Sequence, residues 1–287
     1  MMKLTLPRRS HLLPTLALLV SVVLAGGLSE SASGSEFAYD PAFGSKGTGI
    51  DEILEKGFIR EMIHRRDGGI TFVGKARSDD PNAPKNTLFA GALKANGTPL
   101  YSFGRLGRAV NPLQSVWGSA VGIARAPGGK FFVAGNFREE NDAWRSLVYR
   151  IHIDGSLDDS FHTYTSSTSS TSRQRISDIA VDREGRAIVT GTYRPDRKTT
   201  RILVMRFESG GKLDRSFGRG GQVLLGVKGR RGNRGSTVVP LGNGRILLSG
   251  VLGGYPFVAR IGAGGKLDRT FGRRGITTFA RGPAHKC

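Results

Sequence analysis

The chain has 287 residues, 42 of them glycine, and 43 Lys+Arg against 23 Asp+Glu give it a formal charge of +20. An apolar share of 38 % with 15 phenylalanines excludes a globally disordered chain, and a single cysteine excludes an internal disulfide framework. So positive a surface favours acidic partners, above all acidic polysaccharide or anionic lipid head groups.

The N-terminus reads as a secretory signal peptide over residues 1–25. Lys3, Arg8 and Arg9 form its basic region, and Leu12–Ala25 is an apolar run too short to span a bilayer comfortably. Val23 and Ala25 supply compact residues at positions −3 and −1 of the cleavage site. Cleavage there makes the protein extracytoplasmic, either periplasmic or secreted. Arg8-Arg9 weakly resembles a twin-arginine signal. Gly26 stands where lipid attachment would need cysteine, and residues 26–36 are expected to form a disordered linker.

From residue 37 to 281 the chain repeats itself in two interleaved phases. One phase is a polar glycine-containing turn, a β-rich run and a closing glycine. Its copies are Arg66–Gly74, Pro127–Gly135, Arg183–Gly191 and Gly242–Gly250, so Gly74, Gly135, Gly191 and Gly250 mark the repeat. The other phase is a turn ending in Ser/Thr-Phe. It starts partially at Asp40-Pro41-Ala42-Phe43-Gly44 and weakly at Gly97–Gly104. Its full copies are Gly155-Ser156-Leu157-Asp158-Asp159-Ser160-Phe161, Gly211-Lys212-Leu213-Asp214-Arg215-Ser216-Phe217 and Gly265-Lys266-Leu267-Asp268-Arg269-Thr270-Phe271. Phe43, Phe103, Phe161, Phe217 and Phe271 divide the chain into periods of about 43–102, 103–160, 161–216 and 217–270.

These turns resemble those of the delta-60 repeat family, and the resemblance covers roughly residues 40 to 280. It implies a bacterial β-propeller-like repeat protein, in a family whose members mostly lack assigned functions. Two departures predict remodelled turns: Pro99-Leu100 in the first full copy, and His162 in place of the glycine after Phe161.

Each period holds four short β-like runs bounded by turn residues, and the mature chain sustains no long helical period. In the third period the runs are about 162–167, 174–181, 186–193 and 201–207; in the last they are 221–227, 235–240, 245–252 and 256–261. Four antiparallel strands per repeat describe a propeller blade, so the expected fold is all-β: a small propeller of about four blades. Phe103, Phe161, Phe217 and Phe271 are assigned to the core between blades. Asp158, Asp214 and Asp268 are assigned to fixing the turn rather than to metal. A fifth first-strand run at 275–280 is expected to close the ring against the N-terminal blade, and 282–287 to form a flexible tail.

Catalytic signals are sparse: no HExxH, no Gly-x-Ser-x-Gly and no phosphate-binding loop occur, so no catalytic residue, cofactor or metal is assigned. Two loops break the pattern. Thr163–Ser172 is a low-complexity Ser/Thr segment expected to be a flexible excursion. Gly226–Gly235 carries Lys228, Arg230, Arg231 and Arg234 between glycines, an arrangement able to drape over phosphate or sulfate. It lacks interleaved aromatics, which argues against sequence-specific nucleic-acid binding. Free sheet edges and Cys287 are the candidate routes to a dimer. The expected function is a non-catalytic binding or scaffold propeller recognising an anionic cell-surface polymer. The alternatives are a propeller hydrolase or lyase acting on a polysaccharide, and a self-assembling structural element.

Overall fold

The structure, a computed structural model, describes residues 42–44, 57–77, 87–105, 107–109, 117–138, 144–166, 173–226 and 231–279. The signal peptide, the 26–36 linker, the first run of period one and the tail lie outside them. The fold is an all-β propeller of four antiparallel sheets, each built from consecutive strands.

Blade 1 comprises β1 (Gly57–His64), β2 (Ile70–Ala76) and β3 (Thr87–Leu93); blade 2 comprises β4 (Trp117–Arg125), β5 (Phe131–Arg138), β6 (Trp144–Ile151) and β7 (Tyr164–Thr165). Blade 3 comprises β8 (Arg173–Val181), β9 (Ala187–Arg194), β10 (Arg201–Arg206) and β11 (Gln222–Leu225). Blade 4 comprises β12 (Arg234–Pro240), β13 (Ile246–Leu252), β14 (Tyr255–Ile261) and β15 (Ile276–Thr278). The third- and fourth-period runs read from the sequence fall on these strands to within about three residues at either end.

The pleat explains why a middle strand such as β10 carries an unbroken apolar run, Ile202–Met205: successive side chains point to opposite faces, and both faces are covered. In β10, Leu203 and Met205 pack with Phe132, Phe161 and Val189 towards blade 2, while Ile202 and Val204 pack with Phe217, Leu248 and Phe257 towards blade 4. Blades 1 and 2 meet likewise around Val73, Leu88, Phe103, Phe131 and Tyr149.

The run after each phenylalanine belongs to the blade that precedes it. In the Phe161 turn, Asp158 N donates to Arg150 O and Phe161 N to Asp158 O, which sends the chain back along β6 so that β7 pairs with it. The same return pairs β11 with β10 and β15 with β14. Of the 275–280 run, expected to close the ring on the N-terminal blade, β15 pairs with β14 in blade 4, and the N-terminal run near 49–54 lies outside the described residues. The extra run arose because the sequence period starts one strand out of phase with the blade. In blade 1 the fourth place is held by the Gly91–Arg108 bridge and by Ala109 N donating to Ala90 O. Tyr164–Thr165 of the Ser/Thr loop is a strand rather than a loose excursion, anchored by Ser166 against Ser146; 167–172 lie outside the described residues.

The two departures from the repeat change side chains more than backbone. His162 N donates to Gly210 O at 2.8 Å, matching the bonds Gly104 N–Asp154 O and Gly218 N–Gly264 O, although those glycines have positive φ and His162 does not. Around Pro99-Leu100 the backbone bonds of the turn persist, with Leu100 N on Ala92 O and Phe103 N on Leu100 O. What is lost there is an arginine–aspartate clamp, since Ala92 and Leu100 occupy the positions of Arg150 and Asp158. Arg65, paired with Asp67, replaces it from a neighbouring hairpin and donates to Ile153 O at 3.1 Å.

Candidate functional site

The ends of the propeller are built differently. At one end, β1–β2, β4–β5, β8–β9 and β12–β13 are each joined by five residues, and beside them lie the repeated phenylalanine turns. Asp158 Oδ1 accepts from Ser160 N and Oγ, and Oδ2 accepts from Arg150 Nε at 2.5 Å. Arg150 Nη1 then reaches Ser209 O in the next blade. Asp214, Ser216 and Arg206 repeat the clamp, with Arg206 Nη1 on Ala263 O; Asp268, Thr270 and Arg260 form it a third time. Burial alone would raise the Asp158 carboxyl, but hydrogen bonds from Ser160, Lys130 and Arg150 hold it well below the usual carboxylate range. Each guanidinium also lies over its own phenylalanine, 4.6 Å from the Phe217 ring for Arg206. Arg150 and Arg206 each commit Nε, Nη1 and Nη2 to the fold, one of the three reaching the next blade. Phe103, Phe161 and Phe217 are 0–2 % exposed, whereas Phe271 is only half-buried because no described blade follows it. Phe43 packs against Phe72, Phe89 and Leu93 of blade 1, and Gly44 N donates to Asn96 O.

At the other end a cavity of about 490 Å³ opens among the first strands. A bulge positions much of its lining. In all four first strands the register slips by one residue, and the extra residues are Arg60, Val121, Ser177 and Ser236. A bulge re-aims a side chain that regular alternation would bury elsewhere, and the first three of these line the cavity. Each stands fourteen residues ahead of the repeat glycines Gly74, Gly135, Gly191 and Gly250. First strands approach closely here: a Cβ on Gly122 would stand 2.9 Å from Ile179 of blade 3 and 3.1 Å from Glu61 of blade 1.

Five arginines line the cavity: Arg60 from blade 1, Arg173, Arg175 and Arg194 from blade 3, and Arg234 from blade 4; no carboxylate is among the described lining residues. Arg173 and Arg194 face each other across the β8–β9 ladder. The Arg175 guanidinium lies 4.4 Å from the Trp144 ring, and Trp144 meets Trp117 edge-on at 5.1 Å. Lys75 bridges outward, 5.4 Å from Trp117 and 5.6 Å from Phe58, and Arg60 stacks on Phe58 at 4.8 Å. Burial lowers the Arg175 pKa, and the charges of Arg234, Arg194 and Arg60 lower it further. Among the described residues the site concentrates like charge with no carboxylate in its lining.

Beside it, two carboxylates tie first strands together. Glu61 accepts from Ile123 N of blade 2 and Asp178 Oδ2 from Val238 N of blade 4, each at 2.8 Å. Burial pushes Glu61 up to about 7 against the hydrogen bond from Ile123, with the charge of Asp178 adding to the rise. Asp178 is raised by burial against its bonds from Val238 and Ile179. Asn136 does the same work between blades 2 and 3, donating to Ile176 O and accepting from Ile176 N.

Of the four residues assigned to an anion-binding loop, Arg234 lines the cavity. Arg231 donates to Arg197 O, while Lys228 and Arg230 lie outside the described residues. Buried Asn233 anchors the loop, donating to Thr200 O and accepting from Gly253 N. Sequence reasoning missed Arg60, Arg173, Arg175, Arg194 and Trp144, which are drawn from three periods of the chain. Among the described residues no group of three or more His, Cys, Asp or Glu side chains is arranged to hold a metal, and no helix is long and apolar enough to cross a membrane.

Residues 127–161 match a family described as "Domain of unknown function (DUF5122) beta-propeller". The match takes in the Pro127 turn, β5, β6 and the turn that ends at Phe161. No curated protein matches the chain. Among solved structures, a protein of unknown function from Dyadobacter fermentans is similar at 12 % identity and TM-score 0.45, over 76 % of this chain and 63 % of that one. One from Bacteroides caccae is similar at 13 % identity and TM-score 0.31, over 78 % and 88 %. A luciferin-regenerating enzyme is similar at 11 % identity and TM-score 0.33, over 70 % and 56 %. The chain thus spans less than two thirds of the length of the Dyadobacter protein.

Proposed function

We propose that this is an exported binding propeller that grips an anionic polymer at its arginine-lined mouth. The observation that carries the reading is the set of five arginines, drawn from three blades, around one cavity with no described carboxylate in its lining. Such a cluster is held at an electrostatic cost that an anionic ligand removes. Stacking on Trp144 orients the Arg175 guanidinium and leaves its edge donors for oxyanions. Binding rather than catalysis is favoured because Glu61 and Asp178, the described carboxylates next in sequence to the lining residues Arg60 and Ser177, are both engaged with backbone amides of a neighbouring blade.

The protein's two tryptophans, Trp117 and Trp144, both sit at this mouth, so tryptophan emission reports on it. Titrating an acidic polysaccharide at low salt should change that emission saturably, and raising the salt concentration should weaken the response by screening. An emission spectrum indifferent to every anionic polymer at low salt would refute the reading.

A further inference from the structure

We infer that the group seated in the arginine cavity is a phosphomonoester carried on a sugar, rather than the carboxylate of a uronic acid or a sulfate ester. The inference rests on the anion-binding reading above and names its ligand class.

Three observations lead to it. The first is the count of charges. A carboxylate or a sulfate ester offsets one positive charge among Arg60, Arg173, Arg175, Arg194 and Arg234, whereas a phosphomonoester near neutral pH carries ~1.5–2 negative charges. The second is direction. The guanidiniums enter from blade 1, from both strands of the β8–β9 ladder and from blade 4. Donors arriving from several sides suit a tetrahedral group whose three free oxygens diverge, each able to take an arginine fork. A carboxylate presents two oxygens in one plane and serves one fork well. The third is the remaining space and its chemistry. A cavity of about 490 Å³ exceeds what a phosphoryl group fills, and its wall adds the Trp144 ring with the polar side chains Ser177 and Thr192. That combination suits a sugar, which offers apolar C–H faces to an aromatic ring and hydroxyls to polar neighbours.

The test is a titration of the full mature chain followed by tryptophan emission, using a hexose phosphate, the matching hexose sulfate and a hexuronate. The phosphate should bind at least tenfold more tightly than either of the others. Arg194→Gln and Arg60→Gln should each weaken hexose phosphate binding by about tenfold, the loss expected for one charge-assisted hydrogen bond. Circular dichroism melts of both variants should match the parent. Equal or tighter binding of the hexuronate or the sulfate would overturn the ligand class and leave anion binding standing. Failure of all three sugars and of the acidic polysaccharides would overturn both. A phosphomonoester-bearing glycan and vesicles containing phosphatidate identify the source of the group: saturation by the glycan alone assigns a polysaccharide and by the vesicles alone a lipid. Binding of neither, with the hexose phosphate bound, restricts the site to small sugar phosphates and overturns its assignment to a polymer.

Discussion

The hairpin end of the propeller repeats itself, and the loop end does not. At the hairpin end each first turn has the same length, and Asp158, Asp214 and Asp268 hold the same serine or threonine and the same arginine. At the loop end the connections 77–86, 139–143, 195–200 and 253–254 differ in length, and the residues facing the cavity differ from blade to blade. Arginines occur at both ends in opposite roles. Arg206 spends its donors on Asp214, Ser216 and a neighbouring carbonyl, so its charge is absorbed by the fold. Arg175 stacks on an aromatic ring among other cations, so its charge is left for something else. A repeat protein stabilises itself with what its repeats share and keeps function in what they do not.

Four substitutions test that contrast. The largest effect belongs to the shared core: Phe217→Ala should cost about 3–5 kcal/mol in chemical denaturation, because Phe217 is fully buried between blades 3 and 4. Phe271→Ala, at the half-buried terminal copy, should cost only about 1–2 kcal/mol. Equal losses would mean that blade 4 is covered as fully as the internal blades. Next, Asp214→Ala leaves the buried Arg206 guanidinium uncompensated and should cost about 3 kcal/mol. The matching change at Asp268, which is half-buried at the terminal copy, should shift the denaturation midpoint less. A midpoint at Asp214→Ala equal to the parent's would break the claim that the clamp holds the fold.

Glu61 sets a pH dependence near the mouth. Its pKa is about 7 in the folded chain against an ordinary 4.5, so its contribution to stability is complete below about 4.5 and is lost as pH rises through about 7. Glu61→Gln keeps an acceptor for Ile123 N and removes the titration, so melting temperature at pH 8 should rise by about 2–4 °C with no gain at pH 4. An unchanged difference between the two pH values would remove Glu61 from that role. The smallest stability effect belongs to the loop end. Arg175→Gln relieves repulsion from Arg234, Arg194 and Arg60, so its melting temperature should equal or exceed the parent's while affinity for acidic polymer falls. A destabilised Arg175→Gln protein would place that arginine with the structural ones.

The sequence alone carries the repeat, its four periods and the all-β class, because local turn chemistry and alternating apolar residues are written contiguously. Pro127–Phe161 is legible as a unit in this way. Blade boundaries are not, since a period can be cut at any strand and only the pairing of β15 with β14 shows where a blade ends. The cavity is less legible still. Arg60, Arg175 and Arg234 stand in three periods, and the bulges that present Arg60 and Ser177 follow from register between strands rather than from composition. The Gly226–Gly235 loop hinted at one arginine of the cavity, Arg234. Only the stacking of blades gathered like charges that the chain keeps far apart, because the energy that holds them together comes from the packed seams and not from the site itself.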